Sequence, residues 1–208
     1  MLMSSDIPSG SVCCSDTTSE LIERLQFALG EGPCVDAHRF ERPVLEPDLV
    51  SPKAVRWPAF SGPVIDAGAR AVFGFPLRVG AARLGAMNLY RDAPGPLTVD
   101  QHANALVMAD VAAHAILVIQ AQAPAGTLAT ALEEVADFND TVHQASGMVA
   151  AQLGIPIAQA LIRLRSFAFG NERALAEVAG AVVARTLRLV RDETDAKPDA
   201  GSGGVPGS

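Results

Sequence analysis

The stretch that decides the fold lies near the end of the chain and contains three segments separated by glycine: VHQASGMVAAQLG (142–154), IPIAQALIRLRSFAFG (155–170) and NERALAEVAGAVVARTLRLV (171–190). Apolar or small residues recur within each segment at steps of three and four, which is the period of an amphipathic helix. Gly154 and Gly170 suit helix ends, and Pro156 is tolerated only in the first turn of a helix. The pattern predicts a unit of three short helices.

Charge is distributed unevenly along the 208 residues. The chain has a net charge of −7, whereas residues 141–191 carry +4, because only Glu172 and Glu177 oppose the arginines there. Those arginines are Arg163, Arg165, Arg173, Arg185, Arg188 and Arg191. A basic segment in an acidic chain favours contact with a polyanion, although arginines also solvate ordinary helix faces. Charge therefore favours nucleic acid as a partner of the three-helix unit without establishing it.

Short motifs in the three segments follow the order found in one protein family. They are QAxGM from Gln144, AxxxLR from Ala160 and LxxVA from Leu175. Through these motifs, residues 123–191 resemble a linker helix followed by an ANTAR domain, an RNA-binding module of bacterial transcription antiterminators. The resemblance implies a regulator that binds stem-loops in messenger RNA leaders and stabilises them against a terminator hairpin.

RNA loops present splayed bases and a bent phosphate backbone, so a protein that reads them needs guanidinium groups and small residues that allow close approach. The candidate RNA-binding residues are Gln144, Ala145, Ser146, Gly147, Arg163, Arg165, Ser166 and Arg173. We expect residues 144–147 to form an exposed turn at the end of the first helix, with Gln144 reading a base edge. Close helix packing is the alternative explanation for Ala145 and Gly147.

Arg165 is the preferred partner for a phosphate or a guanine, helped by Arg163, Ser166 and Arg173. Arg163 and Arg165 lie two positions apart and should point to different faces of the helix, so we do not expect them to serve the same contact. Arg185 and Arg188 could extend the basic face, but such residues more often form solvated helix surface.

The first 122 residues predict a sheet flanked by helices. We expect two strands around a turn at Pro8-Ser9-Gly10, the second of them through Cys13 and Cys14. A helix capped at residues 16–18 and ended by Gly30 follows, and then a second helix over residues 56–67. A hairpin over 71–79 and 84–90 and a long helix over about 98–122 complete this part.

Five motifs in this part, GEGPC (30–34), DL (48–49), RWPAF (56–60), FPLRVG (75–80) and LGAMNLYR (84–91), resemble the GAF domain of the type found beside ANTAR domains in actinobacterial proteins. That family is a sensor fold, and the resemblance implies that this chain starts inside its first strand. The expected fold class is α+β: an N-terminally shortened, GAF-like antiparallel sheet flanked by helices, then a C-terminal three-helix ANTAR bundle. The expected domains are 1–122 and 123–191, with a disordered tail at 192–208.

Partners and location are predicted from apolar patterning. Apolar stripes at Leu106, Ala113 and Leu117, and at Leu128, Leu132, Val135 and Phe138, indicate either a homodimer through helical pairing or packing within one chain. We find no apolar run approaching the ~20 residues that span a bilayer and no secretory leader, so we expect a cytoplasmic protein without membrane contact. No cofactor or metal is expected, and the small-molecule ligand of the GAF-like part is open.

Two rival functions come from other classes. Some GAF-fold proteins reduce free methionine sulfoxide with cysteines, and Cys34 lies four residues before His38, a proximity that could activate a thiolate. The alternative is therefore a methionine sulfoxide reductase-like enzyme or a thiol-based redox sensor, for which Cys13 and Cys14 are further candidates. Cysteine is often buried, however, so we expect the protein not to be an enzyme. The odd count of three cysteines argues separately against a disulfide framework. Three short helices with late arginines also suit a DNA-binding helical regulator. The QAxGM motif on the first helix favours RNA and predicts no specific DNA binding.

Overall fold

The computed structural model describes residues 1–4, 7–51, 56–122 and 130–190, and the side chains of residues 4, 7–9 and 130–139 are outside that description. Three expectations therefore fall outside this description: the start of the second domain at residue 123, the side chains of the second apolar stripe (Leu128, Leu132, Val135 and Phe138), and the disordered tail. The part that is described is α+β, as predicted, with seven helices and five strands.

The strands form one antiparallel sheet. They are β1 (Leu2–Ser4), β2 (Ile7–Gly10), β3 (Val44–Glu46), β4 (Ala71–Val79) and β5 (Ala82–Arg91), and their order across the sheet is β2-β1-β5-β4-β3. β4 and β5 form the predicted hairpin, in which Ala71 pairs with Arg91 and Val79 with Ala82. Gly80, at φ 58°, supplies the left-handed residue of the turn.

The predicted turn and second strand of the N-terminal hairpin are wrong. Pro8 pairs with Met3 and Gly10 with Leu2, so the two residues lie inside β2 rather than in a turn. Cys13 and Cys14 follow the strand and are both exposed. Proline is tolerated at this position because β2 is an edge strand. A missing N–H there removes no ladder hydrogen bond from a central strand.

Helices cover both faces of the sheet. α1 (Thr17–Leu29), α2 (Pro33–Phe40) and α3 (Pro58–Asp66) lie on one side and α4 (Val99–Ala121) on the other. Side chains of β4 alternate between the two layers: Val72 joins the cluster on the α2 side, while Phe73 and Phe75 pack on alanines of α4. Gly74 lets α2 approach, because a Cβ there would lie 2.2 Å from the carbonyl oxygen of Pro33.

Local signals set the helix ends. Asp16 caps α1 in a capping box with Ser19, and Gly30 ends the helix at φ 69°, both as predicted. The carboxylate of Glu31 accepts hydrogen bonds from the backbone N–H groups of Ala59 and Phe60, at 2.8 and 2.9 Å, so it caps the start of α3 from outside.

The predicted three-helix unit is present. Its helices are α5 (Thr130–Leu153), α6 (Ile157–Gly170) and α7 (Leu175–Val183). α5 and α6 are bent by 107° at the intervening break, where Gly154 has φ 66°. Val149, Leu164 and Val178 are fully buried at the centre of the unit.

The three-helix unit and the N-terminal part that contains the sheet (the sheet half, residues 1–122) share one hydrophobic cluster. It runs from Ile22 and Phe60 to Val149 and Leu164. The junction lies at the C-terminal end of α1. There the ring of Phe27 meets the ring of His143 edge-on, with centroids 6.1 Å apart. The two halves are therefore packed against each other.

α4 departs from two expectations. Within the described part of the chain, α4 is the one helix that is by itself long and apolar enough to cross a membrane. The bent pair of α5 and α6 also reaches that length and apolar content if the two helices are taken as one span. The sequence of α4 contains no uninterrupted apolar run of that length, because Asp100 and Asp110 interrupt it. The stripe through Leu106 and Ala113 also divides: Ala113 faces the sheet, whereas Leu106 is 43% exposed.

Candidate nucleic-acid interface

The QAxGM motif is not an exposed turn. Residues 144–147 lie inside α5, and the hydroxyl of Ser146 is buried and donates to the carbonyl oxygen of Val142 at 2.7 Å. Ala145 is also fully buried, so close packing explains it. Gly147 is different, because a Cβ at this position would meet no atom within 4 Å. Only Gln144 and the backbone beside Gly147 remain open to a ligand.

Other candidate residues meet in a groove on the outside of α6. The groove encloses about 600 Å³ and is lined by Gln159, Ile162, Arg163, Ser166, Phe167, Arg188, Leu189 and Val190. Two guanidinium groups and a hydroxyl supply hydrogen-bond donors, and the aliphatic and aromatic side chains supply an apolar wall. This combination suits an anionic ligand that also carries flat apolar groups.

The segment after α7 forms the second wall of the groove. Arg185 takes a left-handed conformation at φ 60°, and Thr186 donates to the carbonyl oxygen of Ala181 at 3.0 Å, so the chain turns back. The side-chain amide of Gln152 then donates to the carbonyl oxygen of Leu189. Leu189 is buried and Arg188 exposed, which presents Arg188 to the groove.

Arg188 extends the basic face, which was one of its two expected roles, but it does so from an extended segment and not from a helix, since α7 ends at Val183. The available signal was the alternation Leu187, Arg188, Leu189, which is typical of an extended segment with one buried face. The groove also gains Gln159 and Phe167, which were not among the predicted residues.

Arg163 and Arg165 diverge, as predicted. Arg163 lines the groove, whereas Arg165 points to the opposite side and reaches α1. Its Nη2 donates to the carbonyl oxygen of Phe27 at 2.5 Å, and its guanidinium carbon lies 5.8 Å from the centroid of the Phe27 ring. Burial lowers the pKa of Arg165 to about 10.

Arg173 lies near Arg165 at a smaller recess of about 280 Å³ between the end of α1 and the α6–α7 connection. Its Nε and Nη2 donate to the same carboxylate oxygen of Glu177, at 3.0 and 2.8 Å. Because Glu177 offsets its charge, Arg173 contributes less positive potential than the sequence indicates.

The environment of Cys34 opposes the formation of a thiolate. The side chain is fully buried, with its sulfur 3.9 Å from Oε1 of Glu23. Burial raises the pKa of the Cys34 thiol, and the negative charge of Glu23 raises it further. A nucleophilic or redox-active cysteine needs the opposite shift.

Across the described residues, no group of three His, Cys, Asp or Glu side chains could hold a metal ion.

Comparisons with family models, with curated proteins and with solved structures find no match for this chain. The fold and the groove therefore carry the functional argument. They define an α+β protein in which a basic, partly apolar groove lies on a C-terminal three-helix unit.

Proposed function

We propose that this protein is a cytoplasmic RNA-binding regulator, and that its three-helix unit binds stem-loops in messenger RNA leaders. The observation that carries the proposal is the groove on α6, where Arg163, Arg188 and Ser166 lie beside Phe167 and Ile162. It coincides with the segment in which the local charge is +4 in an otherwise acidic chain.

The chemistry of the groove fits an RNA loop better than a duplex. Guanidinium groups bind phosphates, and side chains such as Phe167 offer a surface on which an unstacked base can lie. Bases in a DNA duplex stay stacked and would leave this apolar wall in water. Gln144, on α5, adds an exposed side chain with both a donor and an acceptor.

The ANTAR-like order of motifs extends the proposal to antitermination, in which the bound stem-loops prevent a terminator hairpin from forming. The GAF-like half then acts as the control domain. A homodimer, which would present two RNA-binding units to paired stem-loops, is part of the proposal. Its support is the outer face of α4, where Val107 and Val111 are each 62% exposed.

The test measures binding of the full chain to a tandem hexaloop RNA and to duplex DNA of equal length, each at two salt concentrations. Arg163→Ala and Arg188→Ala should each weaken RNA binding about fivefold or more, since each removes a phosphate contact. Each should also reduce the slope of log K against log salt concentration by about one. Arg78→Ala, an exposed arginine on β4, is the matched control and should change neither quantity.

The duplex arm of the experiment decides between nucleic acids. Equal and strongly salt-dependent binding of RNA and DNA would reduce the groove to a nonspecific polyanion site. Preferential binding of the duplex would support the DNA-binding regulator instead. Tight RNA binding that survives both groove substitutions would remove the groove from the proposal.

A further inference from the structure

Arg165 occupies a seat on the N-terminal half of the protein. We define this seat as Phe27 and Gly30, the last turn and the cap of α1. The carbonyl group and ring of Phe27 contact the guanidinium, and Gly30 leaves space for it, because a Cβ on Gly30 would lie 2.7 Å from Nη1 of Arg165. Any other L-residue at position 30 would collide with the seated side chain.

The seat leaves the cation incompletely satisfied. Nε of Arg165 is buried without a hydrogen-bond partner, and no carboxylate pairs with the guanidinium within the described ranges of the chain. Burial lowers the pKa of Arg165, so the seat disfavours the charged form without supplying a counter-ion. A phosphate would satisfy several of these donors at once and would neutralise the charge.

We propose that α1 is an autoinhibitory element: its seat and an RNA phosphate compete for Arg165, and RNA binds fully only after α1 has released that side chain. This inference rests on the proposed function and names its regulation. Arg163 and Arg188 line the groove in the closed form, whereas Arg165, on the other side of α6, adds a separate phosphate contact when α1 withdraws.

α1 is suited to carry a signal to the seat. Gln26, the residue before Phe27, is fully buried, and its side-chain oxygen accepts a hydrogen bond from the backbone N–H of Cys34 at 2.7 Å. The same turn of α1 is thus fixed to the start of α2 on one side and to Arg165 on the other. A displacement of α2 in the sheet half would therefore act on the same turn of α1 that holds Arg165.

A substitution at Gly30 tests the competition. Gly30→Asn keeps a residue that tolerates the left-handed conformation but places a Cβ 2.7 Å from Nη1 of Arg165, so the guanidinium must shift and its contacts with the seat are weakened. We expect the full-length variant to bind the tandem hexaloop RNA at least about fivefold more tightly than the wild type. Gly80→Asn is the matched control: Gly80 has φ +58° and open space around its Cβ position, and we expect no change.

Arg165→Ala identifies the group for which the two partners compete. It should weaken RNA binding in the wild type, and Gly30→Asn should no longer strengthen binding in the double variant. Hydrogen–deuterium exchange adds a readout that needs no substitution, because amides of residues 24–30 should exchange faster in the RNA complex than in the free protein.

The outcomes separate the two proposals. If the wild type binds RNA but Gly30→Asn binds no more tightly than Gly80→Asn, α1 is not inhibitory, and the proposed function is unaffected. Slower exchange of residues 24–30 in the complex would overturn the release of α1 in the same way. If the wild type and every variant fail to bind RNA, both proposals fall.

Discussion

Arg163 and Arg165 illustrate how two like residues acquire different chemistry from their positions. They are two apart on α6, so their side chains leave the helix on different sides. One lines the groove on the outer face, and the other is held against Phe27 with a pKa lowered by burial. The separation follows from helix geometry, whereas the seat that receives Arg165 is a tertiary feature and could not be predicted from spacing.

Cysteine reactivity gives a test at the scale of single residues. Because the pKa of the Cys34 thiol is raised, that residue should stay protonated as the pH rises from 7 to 9, and an alkylating reagent should modify only Cys13 and Cys14 in the native protein. Cys34 should react only after unfolding. Mass spectrometry of tryptic peptides measures the extent of modification at each site.

Cys34→Ala is the control for that experiment and should leave the modification of Cys13 and Cys14 unchanged. Rapid modification of Cys34 in the folded protein, with a rate that rises between pH 7 and 9, would contradict the buried environment. Such a result would restore the thiol-based redox sensor as a working hypothesis.

Among the secondary-structure elements, those with strong local signals could be predicted. Asp16 and Gly30 delimit α1, and the hairpin of β4 and β5 follows from alternating apolar residues around a glycine. The end of the first C-terminal helix was predicted at Gly154, and α5 does end at Leu153, but the exposure expected at residues 144–147 was wrong for Ala145 and Ser146. The Ser146 hydroxyl bonds instead to the preceding turn, and α5 continues to Leu153.

The exposed face of α4 yields the prediction at this scale. Val107, Val111 and Val118 lie on one side of the helix and are each more than 60% exposed. If a second copy of the chain covers this face, Val111→Lys should weaken the dimer about tenfold or more, since it would bury an unpaired charge. Ala176→Lys, at an exposed position on α7 and therefore outside this face, should have little effect.

Sedimentation velocity over a range of concentrations measures the association. The monomer mass is 21.6 kDa, and the wild type should approach twice that value. A wild type that remains at the monomer mass at every concentration would remove the homodimer from the proposed function.

Over the whole molecule, the shared core predicts that the two halves unfold together. Leu164 is fully buried in the three-helix unit, and Trp57, the single tryptophan, lies in the sheet half. Leu164→Ala should lower the free energy of unfolding by about 2–5 kcal/mol through the cavity it creates. Because the halves are packed together, the fluorescence of Trp57 should report the same loss as the far-ultraviolet circular dichroism.

Ile162→Ala is the matched control, because Ile162 is 58% exposed on the same helix and should change the stability only slightly. A Trp57 transition that stays at its wild-type midpoint while the helical signal shifts would show two independent units. That result would also weaken the inhibitory role of α1, which requires energetic coupling between the halves.

The order of the strands also bears on how the protein resists self-association into fibrils. The long apolar strands β4 and β5 are interior, and the sheet ends on one side at β3, three residues long, and on the other at β2, four residues long. Pro8 removes one N–H donor from β2. Short edges of this kind offer a poor template for a neighbouring chain, which disfavours edge-to-edge pairing into cross-β fibrils.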